Sequence, residues 1–537
     1  MLPDLRLPSG PLYIIYRLKK AGYEAFLVGG AVRDSLGNAL GFYQTAKTID
    51  ADDFDFTTNA TPEQIMAVFP QSFYKNTFGT VSVTPHDLRQ LMGLPPQPVA
   101  PAVPVAAGRI DITAATRLHE SLDLPTHPRE PQEPKNYEIT TYRVGETYTN
   151  DSHRRPQSLQ WGTSISDDLT RRDFTINALA LTINLPLLEK FFGHVPDDTY
   201  PLRATDYTLI DDFAGLTDLQ DNLVQAIGDP DERFREDALR LMRAVRLSVQ
   251  LNFAIEDHTY QALKRQADLL QSISGERIRD EFFKILASDY PKEGVMLLDE
   301  TGLLTYIVPE LLAAKGVAQS GHHLTDVWVH SLDALANCPS IDPLVRLASL
   351  LHDVGKPATQ EMIDGQYTFY NHQNVGAKMV RHIAHRLKLS RADTDRLTTL
   401  VRHHMFHYQP TDTDAAIRRF MRQVGLDNLN DILDVREADR LGSNARKTSW
   451  RLEEMKQRMI AQLHQPMQVR DLAIGGHELM DHFHLSPGPI LGEVLQALLE
   501  RVLDDATLNT PEQLLAIASD LLRSRPDGGT SAPAARA

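Results

Sequence analysis

Apolar residues recur at helical spacing over residues 12–20, which predicts a leading helix. A short apolar run, Phe26-Leu27-Val28, then ends in Gly29-Gly30, and residues 31–37 read as a helix start. In Asp53-Phe54-Asp55-Phe56-Thr57-Thr58 polar and apolar residues alternate. A strand there turns Asp53 and Asp55 to one face and Phe54 and Phe56 to the other. Thr61 and Pro62 are suited to cap and open the next helix. Residues 77–83 and 137–143 are rich in β-branched and aromatic types and read as strands. Between them residues 93–108 are rich in Pro, Ala and Val without period, as in an extended loop, and the stretch 84–136 reads as an insertion. Residues 185–205 read as a second one. The pattern over 234–246 is that of one helix, and 276–286 form an amphipathic helix. From about residue 303 the chain is helical and dense in histidine, and beyond Ser524 it turns to Pro, Gly, Ala and Ser, a composition expected to be disordered.

Composition narrows the class. At 537 residues there is room for about three or four domains. The single cysteine, Cys338, excludes an internal disulfide framework and points to a reducing compartment, hence the cytoplasm. Residues 1–10 carry no signal-peptide pattern, and no apolar run approaches the ~20 residues of a membrane helix. A formal net charge of −16 excludes a blanket basic surface, so any contact with nucleic acid must come from local arginine clusters.

Several groups of residues carry chemistry. Two neighbouring carboxylates, Asp53 and Asp55, repel each other unless a cation lies close, and Mg²⁺ takes oxygen ligands of this kind alongside substrate phosphates. Asp50 and Asp52 form a second pair at the same spacing. The order strand, Gly29-Gly30, helix is either a tight turn or a phosphate cradle, in which backbone N–H groups approach an anion and Arg33 adds its fork of donors. Glu138 is either a third carboxylate for the same cation or an exposed strand acid. Arg171-Arg172-Asp173 could cap a helix or set guanidiniums beside a triphosphate. On one helix Asp237 and Arg240 share a face, with Arg243 and Arg246 continuing the row, either as a solvated ion-pair ladder or as a base reader. Arg418, Arg419 and Arg422 form a basic cluster that is either a solvated face or a phosphate contact.

Taken in order, Gly29-Gly30-Ala31-Val32-Arg33-Asp34, the Asp53–Asp55 pair and Arg171-Arg172-Asp173-Phe174-Thr175-Ile176-Asn177-Ala178 resemble the motifs of the polymerase β superfamily of nucleotidyltransferases. With Asp211, Gly215 and Asp218-Leu219, and with Glu236-Asp237-Ala238-Leu239-Arg240, they look most like class II tRNA nucleotidyltransferases (CCA-adding enzymes) and their bacterial poly(A) polymerase relatives. Residues 147–156 resemble the flexible loop of enzymes that add the whole CCA end. His330, then His352-Asp353 and later Asp439, resemble the HD superfamily of metal-dependent phosphohydrolases, with 371–377 and 401–405 fitting its later segments. Residues 469–480 and 487–492 resemble the C-terminal tRNA-contacting module of the CCA-adding family.

The resemblance implies an α+β fold, with a polymerase β-like mixed-sheet head followed by an all-α neck, HD body and tail. The expected bounds are 1–215 for the head, 216–290 for the neck, 291–445 for the HD domain and 446–524 for the tail, with 525–537 disordered. It implies that Asp53 and Asp55 are catalytic and hold Mg²⁺. Gly29, Gly30, Arg33, Arg172, Asp173 and Asn177 would bind nucleotide, with Asp237, Arg240, Arg243 and Arg246 at the base and Arg277 bracing them. Cytosine and adenine both offer an exocyclic amine that Asp237 can accept and a ring nitrogen that Arg240 can bind. Guanine and uracil present a carbonyl to the carboxylate, leaving acceptors unpaired at about 1–3 kcal/mol each. His330, His352, Asp353 and Asp439 would hold a transition metal. CTP, ATP and tRNA are the implied partners. A poly(A) polymerase, or an HD phosphohydrolase whose head only binds nucleotide, are the alternatives.

Overall fold

The computed structural model describes residues 2–43, 54–75, 79–94, 136–147, 158–193, 198–319, 325–443 and 449–524. Asp53, the alternative pair Asp50 and Asp52, the loop at 148–157, most of the proline-rich stretch and the terminal residues 525–537 lie outside them.

The head is built on a seven-stranded sheet: β1 (Ala25–Val28), β2 (Asp55–Thr58), β3 (Phe73–Lys75), β4 (Thr80–Val83), β5 (Tyr137–Thr141), β6 (Ala180–Ile183) and β7 (Tyr207–Ile210), in the order β7-β6-β1-β2-β5-β4-β3. Only β2 and β5 run parallel, so the sheet is mixed as expected. The alternation at β2 has its predicted effect: Phe54 and Phe56 are buried and Asp55 is exposed. Helix α1 (Ser9–Lys20) packs Leu12, Ile14, Ile15 and Leu18 into the same core as Leu27, Phe56, Ile139 and Leu181. Helix α2 (Gly30–Leu40) starts directly after β1, across Gly29, whose φ of +81° suits a residue without a side chain.

Both stretches read as insertions contain described helix or strand. Thr84 caps a helix over Pro85–Leu91 by accepting the N–H of Asp87. The segment 185–205 holds a helix, Leu185–Phe192, whose Phe192 ring packs on Tyr13 and Tyr16 of α1, and a strand, Thr199–Leu202, paired with Leu5–Pro8.

In the neck the expected single helix is two, α3 (Pro230–Glu236) and α4 (Leu239–Leu251). The chain breaks at Asp237, which is extended (φ −146°, ψ 103°) and whose Oδ1 accepts the N–H of Leu239 at 3.1 Å. A short acid that bonds the backbone just ahead of it competes with a continuous helix. Helix α5 (Gly275–Leu286) follows. The body comprises α6 (Val327–Ala336), α7 (Pro343–Leu351), α8 (His372–Arg386), α9 (Arg391–His403), α10 (Asp414–Val424) and α11 (Leu429–Gly442). Neck and body are not wholly helical: Leu223–Val224 pairs with Ala254–Ile255, and Glu361–Ile363 forms a hairpin with Gln366–Thr368.

The tail has its own core, around Leu479, Val494, Leu498, Val502 and Leu514, with α12 (Pro489–Asp504) at its centre. The basic cluster of α10 is turned toward it. Arg418 is buried and donates to the carbonyl of Leu503, at 3.1 and 2.9 Å, and to Gln462. Arg419 pairs with Asp504, and Arg422 with Glu500. These arginines close the C-terminal end of α12, where a helix favours cations. No described helix is long and apolar enough to cross a membrane.

Replacing Arg418 leaves buried carbonyls without donors. Arg418→Ala is expected to loosen the tail by about 2–3 kcal/mol. Amide exchange in α12 should speed up accordingly, while exchange in the head sheet stays unchanged.

Candidate active site

The end of β1 at Gly29, the start of β2 at Asp55 and the neck helices enclose a cleft of about 1290 Å³. Every described residue of the expected catalytic and nucleotide-binding set lines it: Gly29, Gly30, Arg33, Asp55, Arg172, Asp173, Asn177, Asp237, Arg240, Arg243 and Arg246. Asp53 lies outside the described residues.

Asp55 begins β2 opposite Glu138 of β5, so the two acids stand side by side on adjacent strands, and both line the cleft. A Cβ on Gly29 would come to 3.2 Å from Arg172 Nη1 and 4.0 Å from Asp55 Oδ2. The glycine turn, a guanidinium and a carboxylate are thus within one phosphate's reach. Carboxylate oxygens of this sort fit Mg²⁺, a hard ion.

Arg33 is buried. Its Nε and Nη2 each donate to Asp34 at 2.8 Å, and its Nη1 donates to Asn177 Oδ1 at 2.7 Å. Burial works against its charge, but Asp34 and Tyr43 outweigh that and hold it firmly cationic. Asn177 Nδ2 donates in turn to Asp173 Oδ1 at 3.3 Å, and Arg243 Nε to Asp173 Oδ2 at 2.6 Å. Burial would raise the Asp173 carboxyl, yet Arg243 and Arg240 overcome it and bring it down to about 2. Arg172 is held by Asp168 at 3.3 Å.

Asp237 and Arg240 have separate partners. Arg277 Nη2 donates to Asp237 Oδ2 at 2.9 Å, the brace expected from the sequence. Arg240 donates to Glu236 Oε2 at 2.6 Å and to the carbonyls of Arg233 and Arg171. Arg246 pairs with Glu281 at 2.6 Å. Because of the break at Asp237, the two residues sit at a helix start rather than on a shared face.

Sequence reasoning missed several lining residues. Arg143 donates to Thr80 Oγ1 at 3.0 Å, while Asp34, Arg233 and Glu236 orient arginines. Only their adjacency to the motifs hinted at them. In all, ten basic and seven acidic side chains line the cleft, a local positive balance in a chain of net charge −16.

A second cluster lies in the body. His330 comes from α6, His352 and Asp353 follow α7, and Asp439 is on α11. His330 Nε2 is 3.0 Å from His352 Nε2, 3.2 Å from Asp439 Oδ1 and 3.4 Å from Asp353 Oδ2. All four are buried, and two further histidines, His372 and His404, reach Asp353 as well. Burial penalises the Asp353 anion, but His352 and Lys356 hold its carboxyl well below the usual carboxylate range. Imidazole and carboxylate donors together fit a transition metal.

A head with a glycine turn, strand carboxylates and an arginine-lined cleft is that of a nucleotidyltransferase, and comparison with known proteins agrees. A family model for the "Poly A polymerase head domain" matches residues 25–91 and 119–225, breaking within the proline-rich stretch. One for the "Probable RNA and SrmB- binding site of polymerase A" matches 252–315, and one for "tRNA nucleotidyltransferase domain 2" matches 368–518. The chain is 35% identical over 368 residues to the A-adding tRNA nucleotidyltransferase of Deinococcus radiodurans, across 66% of this chain and 78% of that one. It is 34% identical over 320 residues to the CCA-adding enzyme of Geobacillus kaustophilus, covering 59% of each. The crystal structure of the Bacillus stearothermophilus CCA-adding enzyme in complex with CTP superposes with a TM-score of 0.60 at 25% identity, over 97% of this chain and 99% of that one. The chain belongs to the poly(A) polymerase and tRNA nucleotidyltransferase family.

The depressed pKa of Asp173 gives a pH signature. Its ion pair stabilises the fold fully above the ordinary carboxylate value of 3.8, and the contribution is lost as the pH falls toward 2. Asp173→Asn should therefore be less stable than the parent by about 2 kcal/mol at neutral pH. Urea unfolding should show that gap closing between about pH 4 and 2; a gap independent of pH would contradict the assignment.

Proposed function

We propose that this protein adds or repairs the 3′-terminal CCA of tRNA, using CTP and ATP without a nucleic-acid template and releasing pyrophosphate. The observation that carries this is the meeting of Asp55, the Gly29 turn with Arg172, and the Asp237–Arg240 segment in one cleft. The Gly29 N–H is taken by the carbonyl of Leu179 at 3.2 Å, so Gly29 serves the turn while Gly30, at the start of α2, offers its N–H to the triphosphate, and Arg33 and Arg172 balance its charge. Asp53 and Asp55 would hold two Mg²⁺, a pair that would supply activation of the tRNA 3′-hydroxyl and charge stabilisation for the departing pyrophosphate. The hydroxyl attacks the α-phosphorus, and the bond to pyrophosphate breaks. Asp173 and Asn177 act behind this surface: they fix Arg33 and Arg243 in direction. Asp237 accepts the exocyclic amine of cytosine or adenine, and Arg240 donates to the neighbouring ring nitrogen. Arg277 holds the Asp237 carboxylate in direction.

The head is assigned to 1–215, the neck to 216–290, the HD domain to 291–445 and the tail, a tRNA contact, to 446–524. In the HD domain His330, His352, Asp353 and Asp439 would hold a transition metal and support phosphoester hydrolysis. The single cysteine, Cys338, supports a reducing compartment, and the cytoplasm is the location we propose.

A second reading is addition of A alone. It is favoured by the A-adding Deinococcus relative. Purified protein with tRNA lacking its 3′ end, Mg²⁺ and CTP, ATP or both separates the cases. CC followed by one A is expected. A single A, added only to tRNA that already ends in CC, would establish the second reading. Long A tails would indicate a poly(A) polymerase, and no incorporation would leave a hydrolase with a nucleotide-binding head. Asp237→Ala should relax the discrimination against UTP and GTP by at least about tenfold, in keeping with loss of 1–3 kcal/mol per unpaired acceptor. Its effect on triphosphate binding should be smaller.

A further inference from the structure

The head carries a groove of about 650 Å³ that shares no lining residue with the nucleotide cleft. Three aromatic rings in mutual contact form part of it: Tyr13 and Tyr16 of α1 and Phe192, with centroids 5.9, 5.1 and 5.3 Å apart. Leu91, Met92, Arg17 and Lys20 line it as well. Both stretches read as insertions therefore contribute, the first through Leu91 and Met92 and the second through Phe192.

The polar groups of the groove are donors. Lys20 Nζ donates to Tyr16 Oη at 2.8 Å, so the phenol keeps its own hydrogen to give. Arg17 Nη2 donates to the carbonyl of Val68 at 2.8 Å, and the guanidinium has further N–H groups. No carboxylate is among the described residues that line the groove. Rings flanked by donors suit a ligand with an apolar edge and unpaired carbonyls. A polyproline strand is such a ligand, because proline has no N–H and the extended helix bonds none of its carbonyls internally.

The chain holds a segment of this chemistry next to the groove. Pro95, Pro98, Pro101 and Pro104 recur at every third position, and no charged residue falls within 95–108. A polyproline II helix turns once in about three residues, so these four prolines would share one edge, about 28 Å long. Residues 95–104 lie outside the described ones, and the chain is described as far as Leu94. Gly93, at φ +71°, ends the preceding helix: its N–H bonds the carbonyl of Gln90 at 3.0 Å, and that of Leu94 bonds the carbonyl of Arg89 at 2.9 Å. Met92 already lines the groove, and Pro95 comes three residues later, within about 11 Å of it. A tether this short gives an effective concentration in the millimolar range or above. The head-domain family model, which matches 25–91 and 119–225, leaves out Met92 and all of these prolines.

We infer that the groove is a polyproline docking site and that its occupant is residues 95–104 of the same chain. The prolines pack on Tyr13, Tyr16 and Phe192, and the carbonyls accept from Tyr16, Arg17 and Lys20. Aromatic grooves recognise proline-rich strands in this way because the strand is extended before it binds and loses little entropy. The role of the groove does not depend on the function proposed above.

Photo-crosslinking and peptide binding in the full-length protein test it. With p-benzoylphenylalanine in place of Phe192, irradiation and trypsin should join the fragment carrying position 192 to fragment 90–109 of the same chain, with the new bond placed within 95–104 by fragment-ion sequencing. A bond only to Leu91 or Met92, or one between two chains, would overturn the assignment. A synthetic peptide of residues 94–105 should bind a variant whose residues 95–104 are replaced by Gly and Ser at least about tenfold more tightly than it binds wild type, where the tethered segment competes. Equal binding to both, or binding to neither, would contradict the inference. The peptide measurement leaves every groove residue unchanged, so misfolding of the head cannot mask the outcome.

Discussion

Asp173 is buried in the head, yet it receives a guanidinium from the neck: Arg243 Nε stands 2.6 Å from its Oδ2. Through Asn177 the same carboxylate also steadies Arg33, which lies one turn from the glycine pair. Arg33, Asn177, Asp173 and Arg243 form one line of hydrogen bonds across the cleft from α2 to α4. Removing one partner of a buried pair strands the other, typically at about 3–5 kcal/mol, so the line constrains both ends at once. This interaction ties the glycine-turn side of the cleft to α4 on its neck side.

The charge distribution follows the same logic. A chain of net charge −16 keeps its surplus of cations where acids hold them in place: Asp34 for Arg33, Asp168 for Arg172, Glu236 for Arg240, Glu281 for Arg246. Each guanidinium is pre-oriented and loses little freedom on meeting an anion. The arginines of α10 are equally paired, but with the end of α12, and so they are structural.

What could be read from the chain alone was what local pattern carries. The alternation at 54–56 does put its phenylalanines in the core, and Thr61 does cap its helix with the reciprocal bonds of a capping box. Helical spacing through 234–246 hid the break at Asp237, because periodicity does not register one side chain bonding its own backbone. The position of Glu138 was undecidable, since only the parallel pairing of β2 with β5, formed across a long connection, sets it opposite Asp55. The order of the histidines was legible. Which ring faced which oxygen of Asp353 was not, because five separate helices or their ends deliver the cluster.

The central claim is that the carboxylate of Asp55, with Asp53, brings metal ions to the point of nucleotide joining. Single-turnover addition to tRNA lacking its 3′ end, compared between the parent and Asp55→Asn at saturating CTP and Mg²⁺, measures this most directly. The account predicts a rate lower by about a thousandfold or more, the size of losing one transition-state charge contact, with CTP affinity changed only a few-fold. An undiminished rate would place the chemistry elsewhere.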